Sequence, residues 1–151
     1  MKNEKRMDNN GFSLVELIIV IAIMAVLIGV LAPQYMRYVE KGKQSADGTT
    51  INEFVDAMTV VASDPSVTLE PSTTYTVTSA ANSGDIVISG NTAGTPTGLA
   101  KIFQDTGIMD ITRKYTLTST LFKEPAITLK LEWDTTSKVW KVTQTGVPTL
   151  N

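Results

Sequence analysis

The chain has no cysteine and no histidine in 151 residues. Without cysteine it forms no disulfide, so a small exported domain of this kind must be held by packing, a bound ion or neighbouring subunits. Without histidine it lacks the commonest general base and the commonest transition-metal ligand. Aromatic residues are few, at 7 %, and 13 basic side chains nearly balance 15 acidic ones. That balance argues against nucleic-acid binding through a general basic surface. The chain contains no phosphate-binding glycine loop, no Gly-x-Ser-x-Gly and no His or Cys cluster. Neither an enzyme nor a bound cofactor is therefore expected.

What is present is unevenly placed. The length suits one domain. Much of the 42 % apolar content lies between Phe12 and Leu31, which leaves material for only a small core elsewhere. The first ten residues, MKNEKRMDNN, are polar and carry no hydrophobic period. From Leu17 to Met36 the chain bears no formal charge. At ~1.5 Å rise per residue, that run spans a hydrocarbon core of ~30 Å.

Two plain readings of the run compete. A cleaved secretory signal would have to end at Val30–Ala32, just before Pro33, and its apolar core would exceed the usual ~7–15 residues. A simple membrane anchor explains the length but not Glu16, because an intramembrane carboxylate is costly and is functional by default. Basic residues flank both ends: Lys2, Lys5 and Arg6 before, Arg37, Lys41 and Lys43 after. The positive-inside rule therefore orients the span only weakly.

The stretch GFSLVEL, Gly11 to Leu17, follows the short basic leader and opens the apolar run. It resembles the type IV prepilin signature: Gly11 directly before Phe12, a carboxylate at the fifth residue after the junction, and unbroken apolar sequence beyond. Ser13 stands where members more often have Thr. Pro33 falls where many have a helix-perturbing proline. The resemblance implies a leader cut between Gly11 and Phe12 by a dedicated prepilin peptidase at the cytoplasmic membrane, and methylation of Phe12 by the same enzyme. It also implies a single-pass membrane protein before assembly. A pilus assembly platform would then polymerise it with copies of itself into a helical filament at the bacterial surface, serving motility, adhesion or biofilm growth. The absence of cysteine departs from the many pilins that clasp a C-terminal loop with a disulfide.

The cut has a physical logic. It leaves an ammonium on Phe12, and methylation does not remove that charge. Glu16 follows four residues later, ~6 Å along a helix. In a stack of subunits Glu16 of one copy is placed to neutralise the terminus of the next, offsetting burial and setting register. Gly29 and Pro33 form the weak point of the helix, since Pro33 cannot donate to the Gly29 carbonyl. A static kink is one reading; the resemblance favours a segment that loses helix in the fibre.

Beyond the membrane, Tyr35 to Ala62 is amphipathic, with Val39, Ala46, Thr50, Phe54, Met58 and Val61 predicted as the apolar stripe. The whole helix would be about 50 residues, on the order of 75 Å long, ended by Ser63-Asp64-Pro65. Tyr75–Thr78 and Asp85–Ser89 alternate like short strands around an AANSG turn at Ala80–Gly84. Leu99–Asp105 suits one or two helical turns. Lys114–Leu121, Ala126–Trp133 and Val139–Thr143 predict a three-stranded antiparallel meander whose apolar face the helix covers. Trp133 and Trp140 are expected to pack rather than to bind a ligand. The expected class is α+β, a long helix on an antiparallel sheet, which is the pilin fold. The segments are 1–11 as leader, 12–34 as membrane and assembly helix, 35–62 as amphipathic helix, 63–113 as a connecting αβ region and 114–151 as the meander.

Two further signals are weighed and set aside. Asp105-Thr106-Gly107 matches one aspartic-protease triplet, but the second carboxylate that chemistry needs is missing, so a turn is expected. Asp105, Asp110 and Asp134 offer oxygens to calcium, yet their spacing fits no binding loop, and a solvated surface is expected. Two alternatives to a pilus subunit remain open: a pseudopilin of a secretion or DNA-uptake machine, and a membrane-tethered binding domain that never polymerises.

Overall fold

A computed structural model describes residues 12–90 and 96–149. The chain divides into two compact units, at Val39 and Glu40. Helix α1, Leu14–Ser63, contributes its first part to one and its second part to the other. In the first unit every large apolar side chain from Phe12 to Leu31 is exposed. This is the one helix of the described residues that is long and apolar enough to cross a membrane.

In the second unit α1 buries Asp47, Ile51, Phe54, Ala57, Met58 and Val61. Those positions recur at spacings of three and four, one face of a 3.6-residue helix. Phe54, Met58 and Val61 are fully enclosed, and each such side chain contributes about 1.5–3 kcal/mol relative to exposure. The observed stripe agrees with the predicted one at Phe54, Met58 and Val61 and departs from it before them. Val39 and Ala46 are exposed and Thr50 is only half-buried, while Asp47 and Ile51 point inward. The expectation admitted no charged residue, whereas the buried column begins with a carboxylate.

Helix α1 packs with a four-stranded antiparallel sheet, an α+β arrangement. The strands are β1 (Tyr75–Ser79), β2 (Ile86–Ile88), β3 (Thr128–Asp134) and β4 (Val139–Thr145), in the order β2-β1-β3-β4. Helix α2 (Gly98–Thr106) precedes the short α3 (Thr120–Lys123). Leu129 and Leu131 of β3 are buried and Lys130 between them is exposed, as one covered face requires. Phe103 of α2, Leu117 and Phe122 complete the core.

The turn between β1 and β2 takes two left-handed residues, Asn82 and Gly84. At Gly84 a side chain is excluded twice over: φ is +71°, and a Cβ there would strike the Leu117 carbonyl. The close approach is bonded, with the Leu117 amide donating to the Gly84 carbonyl at 2.8 Å.

The predicted meander is corrected in its first member. Lys114–Leu121 does not join the sheet as a strand: Thr116 forms only an isolated bridge with Asp85, and α3 begins at Thr120. Its place beside β3 is taken by β1, with Tyr75 opposite Leu131 and Val77 opposite Leu129. The reason lies in the backbone amides of 118–120, which are engaged by α1 as described below. The β3–β4 hairpin forms as expected, with Trp133 opposite Trp140.

Candidate assembly site and polar anchors

The candidate assembly residues lie at and beyond the start of α1. Gly11 falls outside the described residues. Phe12 precedes the helix and is 85 % exposed. Ser13 occupies the position before Leu14, and its amide donates to Glu16 Oε2 at 3.0 Å, while the Leu17 amide donates to the Ser13 carbonyl at 3.2 Å. Ser-x-x-Glu is the capping-box spacing, and the Glu arm of that box is made. A carboxylate in a first helical turn is also favoured by the helix dipole. Within one chain, then, Glu16 stabilises its own helix start. Its side chain is not buried against anything.

Gly29 and Pro33 lie inside α1, and the helix continues through both. Pro33 has no N–H to give the Gly29 carbonyl. A Cβ added at Gly29 would meet open space. No neighbour within the chain therefore demands a glycine at that position.

A second polar cluster was not foreseen. Asp47 is 3 % exposed. Its Oδ2 accepts the Thr118 amide at 2.9 Å and the Ser119 amide at 2.7 Å, and its Oδ1 accepts the Thr118 hydroxyl at 3.3 Å. Seven residues earlier, Glu40 Oε1 accepts the Thr120 amide at 2.7 Å and hydroxyl at 2.8 Å. These hydrogen bonds hold the Glu40 carboxyl below its usual range, led by the Thr120 hydroxyl. The two carboxylates stand two helical turns apart on α1. Together they take the amides of Thr118, Ser119 and Thr120, and the last two belong to the start of α3, where a helix leaves donors over. Asp47 sits four residues before Ile51 and seven before Phe54, in phase with the buried stripe, and that phase was the available signal. The Ser119 hydroxyl is buried beside this cluster without a hydrogen-bond partner among the described residues.

Elsewhere acidic side chains close local structure. Asp85 accepts the Thr116 hydroxyl at 2.9 Å and faces Lys114 at 3.2 Å; the hydroxyl, then the ammonium, hold its carboxyl low. Asp110 accepts the Thr112 amide and hydroxyl, and Asp134 accepts the Thr136 and Ser137 amides. Asp105 pairs with Lys101 at 2.6 Å on the exposed side of α2, a contact worth about 0–1 kcal/mol. Thr106 bonds back to the Ile102 carbonyl and Gly107 ends the helix with φ +66°. The protease-like triplet is thus the last turn and cap of α2. Among the described residues no three acidic side chains gather as a metal-binding group. Trp133 and Trp140 meet edge-to-face at 5.5 Å, and Trp140 tilts against Tyr75 at 6.0 Å. They pack the rim of the sheet.

Comparison with known proteins bears on the first cluster. Residues 6–32 match the family model described as the prokaryotic N-terminal methylation motif. No curated protein and no solved structure matches the chain.

Proposed function

We propose, for a chain whose N-terminal methylation motif marks it as a type IV pilin-like or pseudopilin precursor, a structural role as the pilin subunit of a surface filament. The observation that carries this reading is the combination of that motif with an apolar helix start exposed on all sides, Phe12 to Leu31. Such a surface needs lipid first and other helices later. The leader is cut after Gly11, Phe12 becomes a methylated ammonium, and subunits exchange lipid contacts for helix–helix packing. In the assembled state Glu16 of one subunit pairs with Phe12 of a neighbour, and Gly29 with Pro33 supplies a segment able to yield.

Mass spectrometry of surface-sheared protein tests the processing. The expected mass is that of a chain beginning at N-methylated Phe12. Retention of the leader through Gly11 would favour a tethered domain and overturn the reading. Electron microscopy then separates the two assembling readings: long filaments made of this chain support a pilin, and their absence from producing cells favours a pseudopilin.

A further inference from the structure

Tyr35 and Tyr38 are 69 % and 72 % exposed, large aromatic side chains with no packing role in the described chain. Both lie in the first unit, on α1, three residues apart, and so project from the same side of the helix. Arg37 stands between them and is exposed. They straddle the end of the uncharged run Leu17–Met36, Tyr35 just inside it and Tyr38 just past it. A Tyr ring is apolar along its body and polar at its tip, which is why such rings gather where hydrocarbon gives way to phospholipid headgroups. An arginine at the same level meets the phosphates.

The length of helix between this belt and Glu16 carries the argument further. Glu16 to Tyr35 is about 28 Å of α-helix at ~1.5 Å per residue. The hydrocarbon core is ~30 Å thick. If the Tyr rings lie at one boundary, the Glu16 carboxylate falls at the other. There it keeps water and the Ser13 amide, and the cost of a carboxylate in hydrocarbon is not incurred.

We propose that Tyr35 and Tyr38 form an interfacial anchor that docks to the phospholipid headgroup layer and sets the depth of the precursor, holding Glu16 at the opposite interface. The inference rests on the membrane-held precursor reading above. The charge of Glu16 then leaves water only when the subunit leaves the bilayer.

The test uses the full, uncleaved chain in phosphatidylcholine–phosphatidylglycerol vesicles. Because the chain is free of cysteine, a single nitroxide can be placed at Val15→Cys or at Gln34→Cys, both exposed positions. Its depth is read from collision with oxygen and with a water-soluble nickel chelate. In the parent chain both labels should lie near headgroup level. In Tyr35→Leu/Tyr38→Leu the helix should slide, carrying the label at 34 inward by ~3 Å, two residues of rise, and the label at 15 outward. Tyr35→Trp/Tyr38→Trp should keep both depths. Chains that float with vesicles but show unchanged depths in the Leu variant overturn the anchor alone. A label at 34 near the bilayer centre of the parent does the same. A chain that does not float overturns the membrane-held reading itself, and the anchor with it.

Discussion

The Asp47 carboxylate and the Ser119 amide, 72 residues apart in sequence, meet at 2.7 Å in a site closed to solvent. With Thr118 on the same carboxylate and Thr120 on Glu40, this contact fastens the start of α3 to α1. Removing the acceptor leaves donors buried and unpaired. Asp47→Ala should therefore lower unfolding free energy by about 2–3 kcal/mol, the desolvation cost of stranded buried donors. Asp47→Asn keeps one carbonyl oxygen and should cost less. Urea unfolding in detergent, followed by Trp133 and Trp140 fluorescence, measures both. Equal stability of all three chains would contradict the assignment.

Acid should weaken the folded unit. Glu40, Asp64, Asp85, Asp110 and Asp134 all have carboxyl groups held below their ordinary values by hydrogen bonds to nearby hydroxyls and amides. A carboxyl whose folded pKa lies below its unfolded one adds stability that is fully present above the unfolded value. That stability is lost as pH falls through the folded value. The ordinary values are 4.5 for Glu and 3.8 for Asp, so the urea midpoint should be level from about pH 8 to 6 and fall below about pH 4. Glu40→Gln should reduce that slope.

The contact of Glu16 with the Ser13 amide and its proposed pairing with a neighbour's Phe12 are separable by two substitutions. Glu16→Gln keeps an oxygen for the Ser13 amide but removes the charge. Glu16→Ala removes both. If charge pairing with a neighbouring Phe12 drives assembly, both variants should be cleaved normally and both should lose filament yield by at least tenfold, read by immunoblot of the sheared fraction. Normal yield in Glu16→Gln with loss only in Glu16→Ala would assign the effect to the helix cap.

Gly84 tests the tight contact between the β1–β2 turn and residue 117. Gly84→Ala places a Cβ against the Leu117 carbonyl at a left-handed backbone position. A loss of about 2 kcal/mol in the same urea measurement is expected, the range for forced strain at such a position. Gly29→Ala, where a Cβ meets open space, should leave the stability of the folded unit unchanged.

The elements with strong local signals were legible. The long helix ends at Ser63, where Ser-Asp-Pro predicts it, and the β1–β2 turn falls on AANSG. The β3–β4 hairpin follows from period-two alternation ending in Asp134–Lys138. What was not legible depends on contacts across the chain. Tyr115 and Leu117 alternate as a strand should, but Asp47 and Glu40 claim the amides of 118–120, and no local rule reveals that. The stripe of α1 was read correctly at Phe54, Met58 and Val61 but missed Asp47, because an aspartate in an apolar column argues against burial until its partners are known. At the candidate site, Phe12 and Glu16 stand out by spacing alone. The Ser13 amide on Glu16 shows a duty within the chain that the assembly argument passed over.

The strand order also bears on synthesis. The two central strands of the sheet are β1 and β3, which comes from much later in the chain. While the ribosome is still making the segment between them, the apolar helix has long emerged. At that stage the second unit still lacks half its sheet. The hairpin of β3 and β4 then arrives last and meets a waiting strand, so the unit closes only when nearly all of the chain is out. Anything that stalls elongation between Ser89 and Thr128 holds a membrane-bound chain with an open strand edge, the state in which chains of this topology are most prone to pair with one another.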